Sequence, residues 1–97
     1  MSGFGTEVAF KLGPGTADEA RAVAAELAAA AAGCRRHVLF LDEAAGAYGV
    51  LAEWDRRGDA EGFAARPAAA RALERLAART GAAPRVRLYA MEECPPG

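Results

Sequence analysis

The chain has 97 residues, with 12 basic against 13 acidic side chains, a net charge of −1 and a hydrophobic content of 53%. That is enough for one domain, 1–97, with a modest core, and it excludes a disordered chain. The near-neutral balance excludes the global basic field of a nucleic-acid binder, and no apolar run reaches the roughly 18 residues of a membrane span.

In chain order, TEVAFKL at 6–12 alternates Val8, Phe10 and Leu12 with Glu7, Ala9 and Lys11, a period of two that predicts a strand. Gly13-Pro14-Gly15 stops it. Thr16-Ala17-Asp18-Glu19 has the form of a capping box, and a helix is expected from about Ala17 to Ala32. Val23 and Leu27 mark its buried stripe, and Gly33 follows it. RHVLFLD at 36–42 predicts a second strand, apolar on both faces. Glu43 to Gly46 reads as a hairpin loop and AYGVLAEW at 47–54 as the third strand.

Asp59 can cap a short helix near 59–65, and Pro67 suits the first turn of another near 67–79, with Leu73 and Leu76 as its stripe and Gly81 as its stop. PRVRLYAM at 84–91 predicts a fourth strand. The core is expected over about 6–92, with 93–97 as a flexible tail.

The order β-α-β-β-α-β predicts an α+β fold, a ferredoxin-like sandwich of a four-stranded antiparallel sheet with two helices on one face. Two helices cover only one face. Yet the strands are apolar at both parities: Val38 and Phe40 against Leu39 and Leu41, Val50 against Leu51, Leu88 against Tyr89. A bare face carrying Leu39, Leu41 and Leu51 would be a large apolar patch. Burying each of those side chains contributes roughly 1.5–3 kcal/mol. A homodimer packed through its sheet faces is therefore expected.

The element order, the LGPGTADEA strand-to-helix turn, the Gly33-Cys34 pair after the first helix, and the AEW strand end followed by a short helix and Arg66-Pro67 resemble the antibiotic biosynthesis monooxygenase family over about Glu7 to Glu92. The resemblance implies a dimeric α/β barrel. It also implies a superfamily that includes cofactor-free quinone-forming monooxygenases, polyketide cyclases and haem-degrading enzymes. Members commonly read like EEW…HLxSPHF. Here Trp54 and Pro67 match, whereas Phe63 and Ala68 stand where the two histidines fall. The Asn, Trp and His of the haem-degrading branch fall on Val8, Phe63 and Leu73, so no haem and no other cofactor is expected.

His37 is the single histidine. With the loop centred near Ala44-Ala45, opposed residues should sum to about 90, placing His37 across from Glu53; a slip of one puts it opposite Trp54 or Ala52. A His beside a carboxylate suits a general base held in one tautomer, against the plainer reading of a strand-end ion pair. Trp54 is either a wall of an aromatic pocket or a core anchor. Phe10 and Phe63 are its candidate neighbours, and Tyr48 and Tyr89 offer phenol donors.

Nucleophilic and metal chemistry find little support. Ser2 is expected in a mobile terminus. Cys34 follows a helix C-terminus, whose dipole disfavours a thiolate, and Cys94 sits in the tail. Neither cysteine has CxxC or zinc spacing, which fits two free thiols in a cytoplasmic protein, and the N-terminus lacks the charged-then-apolar form of a signal peptide. Eleven Arg to one Lys, 27 Ala and no Asn, Gln or Ile read as the codon bias of a GC-rich genome, so the Arg excess carries little weight. Arg71, Arg75 and Arg79, at i, i+4 and i+8, are expected on a solvated helix face.

Two readings follow. One is a cofactor-free monooxygenase acting on an aromatic, polyketide-like phenol or hydroquinone, with His37 as base and Trp54, Phe10, Phe63, Tyr48 and Glu53 lining the site. The other is a non-catalytic dimeric domain that binds a small ligand or a protein partner.

Overall fold

The computed structural model of the protein describes residues 2–96. Its elements are β1 (Ser2–Lys11), α1 (Ala17–Ala30), β2 (Arg36–Asp42), β3 (Ala47–Trp54), α2 (Arg57–Gly62), α3 (Pro67–Thr80) and β4 (Arg85–Glu92), with a 3₁₀ turn, Phe63–Ala65, between α2 and α3. The sheet order is β2-β3-β1-β4, with every pairing antiparallel. This is the ferredoxin-like α+β arrangement, with the second helical segment divided into a short and a long helix as expected.

β1 begins earlier than the alternation at 6–12 suggests. Ser2 to Gly5 pair with Glu92 to Tyr89 of β4, and Phe4 also pairs with Trp54 of β3. Ser2 therefore lies in a central strand. At the other end residues 93–96 form no helix or strand, and Gly97, the last of the expected tail, lies outside the described residues.

The capping box does not form. Thr16 turns its hydroxyl back to the Gly13 carbonyl at 2.6 Å and bonds the Tyr48 hydroxyl at 2.9 Å, leaving α1 without a side-chain N-cap. Because Thr16 spends its proton on Gly13, Tyr48 is the donor of the second bond. The helix end thus gives up a local cap for a tertiary contact to β3. At the other end of the helical layer, Gly81 is left-handed and closes α3 through its N–H to the Ala77 carbonyl.

Phe4, Thr6, Val8 and Phe10 of β1 share the helix-facing side with Tyr48, Val50, Ala52 and Trp54 of β3 and with His37, Leu39 and Leu41 of β2. Against them pack Ala20, Ala24, Leu27 and Ala30 of α1, Ala60 of α2, and Ala69, Ala72 and Leu76 of α3. The alanines bring the helix axes close to the sheet, so the core is built on a few large residues set among small ones. Val23 and Leu73, expected at the centre of their stripes, are only partly buried against this core.

The other sheet face is uncovered. It carries Val38, Phe40, Leu51, Tyr89 and Met91; Phe40 is 48% exposed and Tyr89 38%. The expected bare set is corrected by the pleat: Leu51 opposes Val38, so Leu39 and Leu41 lie with Val50 on the helix side. The expected solvated arginine face of α3 also changes, because Arg75 pairs with Glu26 and Arg79 with Glu19, tying α3 to α1. Such exposed pairs contribute little to stability.

The β2–β3 loop is locked onto the turn after β1. Gly46 has φ +63°, its carbonyl accepts from the N–H groups of Leu12 and Gly13, and a Cβ there would collide with the Gly13 backbone. Gly46→Ala is therefore expected to lower stability by at least about 2 kcal/mol, since strained φ and backbone displacement add. Gly33→Ala, also left-handed but facing open space, should cost only about 1 kcal/mol. Urea midpoints of the two variants check this, and equal midpoints would refute it.

Candidate functional site

Trp54 is the last residue of β3 and 1% exposed. Phe63, also 1% exposed, stands against it with ring centroids 5.8 Å apart and planes tilted by 48°. The Arg66 guanidinium lies 4.8 Å from the Trp54 ring centre, within the range of a cation–π contact. Its Nη1 donates to the Ala30 and Ala32 carbonyls at 3.2 and 2.9 Å. Arg66 thus satisfies the open C-terminal end of α1 and closes over the indole at once. In sequence it reads only as the residue before Pro67; its extended backbone (φ −62°, ψ 137°) is what a following proline favours.

His37 does not meet Glu53. Paired residues of β2 and β3 sum to 89, so His37 opposes Ala52 and Arg36 opposes Glu53. Glu53 therefore lies on the open face, held by Arg36 through two bonds of 3.0 and 3.1 Å. His37 lies on the helix side, where Trp54 is its diagonal neighbour, two positions beyond Ala52 on the same face. Diagonal neighbours across an antiparallel pair stand on the order of 7 Å apart, within reach of large rings.

His37 Nε2 and Trp54 Nε1 are the buried side-chain polar atoms without a hydrogen-bond partner among the described residues. Burial pushes the His37 imidazole below its ordinary value, so the ring is neutral at pH 7. With its proton on Nδ1, Nε2 is an acceptor, while the indole Nε1–H is a donor. The two unsatisfied groups are thus one acceptor and one donor.

The remaining expected site residues lie elsewhere. Phe10 and Tyr48 form a second aromatic pair, with centroids 5.7 Å apart, at the opposite end of the sheet from Phe4 and Trp54. Tyr48 is tied to Thr16, and Tyr89 donates across the open face to Glu7 at 3.1 Å. The expected lining therefore splits into His37, Trp54 and Phe63 at one end of the helix side, Phe10 and Tyr48 at the other, and Glu53 behind the sheet. A cavity of about 440 Å³ on the open face touches Glu53, Arg35 and Arg36. Another of about 600 Å³ touches Phe10 and Tyr48. Neither is lined by His37, Trp54 or Phe63.

No group of three or more His, Cys, Asp or Glu that could hold a metal ion is found among the described residues. Cys34 and Cys94 are free thiols. No described helix is long and apolar enough to cross a membrane.

No family description matches the sequence, and no curated protein matches it. Solved structures do match its fold. The chain is similar to a protein of Caulobacter crescentus provisionally named an antibiotic biosynthesis monooxygenase, at 21% identity and a TM-score of 0.69, covering 95% of this chain and 92% of that one. A protein of Chloroflexus aurantiacus with the same provisional name matches at 18% identity and a TM-score of 0.68, covering 97% of both chains. A conserved protein of Methanosarcina mazei matches at 14% identity and a TM-score of 0.72, covering 95% of both. The fold expected from the AEW and LGPGTADEA motifs is the fold these proteins share.

Proposed function

We propose that the chain is a small cofactor-independent oxygenase of the antibiotic biosynthesis monooxygenase family, acting on an electron-rich phenol or hydroquinone beside His37 and Trp54. The observation that carries this reading is the pair of unpartnered ring nitrogens on one sheet face. Leaving a buried polar atom unpaired costs about 1–3 kcal/mol. A bound phenol offsets that cost at both atoms: its hydroxyl donates to His37 Nε2, and a ring oxygen accepts from Trp54 Nε1–H.

The chemistry asks little more of the protein. His37 takes the phenolic proton, and the resulting anion passes electrons to dioxygen. A C–O bond forms at the ring carbon para to the hydroxyl. Loss of water from that hydroperoxide leaves the quinone, so a phenol with a free para carbon and dioxygen give quinone and water with no external reductant, whereas a hydroquinone, already oxygenated there, gives quinone and hydrogen peroxide. The chain's part is orientation, exclusion of water and one base. The fold shared with the Caulobacter and Chloroflexus proteins, both provisionally named antibiotic biosynthesis monooxygenases, supports the family half of this reading.

The second reading, a non-catalytic ligand-binding domain, is favoured by Glu53 lying behind the sheet and by Phe63 and Arg66 closing over Trp54. Because Trp54 is the only tryptophan, its fluorescence tests the binding both readings share. Planar phenols or hydroquinones are expected to quench it saturably through contact at the indole N–H edge. Emission indifferent to every such ligand would overturn both.

The assembly in this reading is a homodimer joined through the open sheet faces. Val38, Phe40, Leu51, Tyr89 and Met91 supply its apolar centre. Light scattering at micromolar concentration is expected to give twice the 10.0 kDa monomer mass. Leu51→Arg, which sets a charge in the middle of that face, should return the protein to monomer. A wild-type monomer under those conditions would contradict the assembly.

A further inference from the structure

We infer that the groove at the α3–β4 turn is a second ligand site, distinct from the His37–Trp54 region, and that it takes a planar aromatic carboxylate. β1 runs past β4 here. The β1–β4 ladder begins at Ala9 opposite Arg85, so Phe10 and Lys11 have no β4 partner, and Pro84, which lacks an N–H, cannot continue the ladder. The resulting notch has a volume of about 600 Å³. Ala9, Ala47, Ala82, Ala83 and the Pro84 ring give it apolar walls, and the Phe10–Tyr48 pair closes its inner end.

The side-chain hydroxyls of the groove are already engaged. Tyr48 donates to Thr16, and Thr80 Oγ1, with one proton to give, lies 3.1 and 2.8 Å from the Leu76 and Ala82 carbonyls. The two cations at its rim are not. Among the described residues neither Lys11 nor Arg85 has an ion-pair or side-chain hydrogen-bond partner; Arg56, Arg71 and Arg87 are also without one, but of these five cations only Lys11 and Arg85 line the groove. Asp42, in the same cross-strand row as Lys11 and Ala47, directs its carboxylate to the Ala45 N–H at 3.3 Å. An apolar slot with two side-chain cations at its rim selects a flat apolar body carrying one negative charge, through charge-assisted hydrogen bonds at one end and ring packing along the rest.

The probe is 2-naphthoate, with 2-naphthamide as its neutral counterpart, titrated against the whole protein by calorimetry. Saturable binding of the naphthoate is expected, with the amide and the Lys11→Ala/Arg85→Ala double variant each weaker by about tenfold or more. Both replaced side chains are exposed, so the variant should keep its far-ultraviolet circular dichroism. His37→Ala should bind naphthoate like wild type, which separates this site from the proposed oxygenase site. The inference fails if naphthoate does not saturate, if amide and acid bind alike, or if the double variant retains full affinity. It fails equally if the double variant changes only the dimer dissociation constant, because the cations then belong to the subunit contact.

Discussion

Trp54→Ala is expected to destabilise the fold by about 3–5 kcal/mol, the range for removing a large buried aromatic side chain. Three contacts disappear together. The indole fills the space at the end of β3 beneath α2 and the 3₁₀ turn, its ring packs on Phe63, and it carries the Arg66 guanidinium on its face. The core is rich in alanines, Ala52, Ala60 and Ala69 among them, which have no side-chain length with which to fill a gap. In a chain of 97 residues such a loss takes a large share of total stability. Trp54→Phe should recover part of it, because an aromatic face is kept for Arg66. Urea unfolding followed by circular dichroism measures both. A loss under about 1 kcal/mol for the alanine variant would mean that the site repacks freely and that Trp54 anchors nothing.

The strands and helices were readable where local pattern and tertiary demand agree. β2 and β3 fall at the expected residues, and Pro67 and Gly81 bound α3 as their backbone chemistry dictates. The failures have physical causes. Gly3 and Gly5 hide the first half of β1, since glycines break the alternation that reveals a strand, yet those positions let the Arg35 and Met91 side chains lie across the sheet. Thr16 has the sequence of a cap, but the Tyr48 hydroxyl competes for it from 32 residues away. The β2–β3 register differed from the expected sum by a single residue, and because side chains alternate, that moved His37 from the face of Glu53 to the face of Trp54.

The place of Trp54 at the end of β3 was legible from the AEW motif. Its closure by Arg66 was not, because that contact depends on where α1 ends, at Ala30 rather than the expected Ala32. Phe10, as a candidate neighbour of Trp54, and Tyr48, as a phenol donor, are expected in one site with it. Strand length separates them: Phe10 pairs with Tyr48 at one end of the β1–β3 ladder, and Phe4 with Trp54 at the other.

The proposed chemistry rests on His37 as the proton acceptor. His37→Ala should weaken phenol binding several-fold, since one hydrogen bond is lost while the contact with Trp54 remains, and should slow oxygen-dependent turnover at saturation by about 10²-fold or more. The wild-type rate should also fall in acid. Burial lowers the His37 value below 6.5, so the ring stays neutral and active at pH 7, and activity declines only as pH drops through that lowered value. Protonation of the buried ring also disfavours the folded state, so the same acid range should cost stability in wild type and not in His37→Ala.

Dioxygen uptake with an electron-rich phenol unsubstituted at its para carbon, recorded together with quinone absorbance for wild type and His37→Ala at matched ligand saturation, is the most direct test. The account predicts enzyme-dependent uptake that collapses in the variant while Trp54 quenching by the ligand persists. Uptake by wild type no faster than in buffer, or uptake unchanged in His37→Ala, would contradict it.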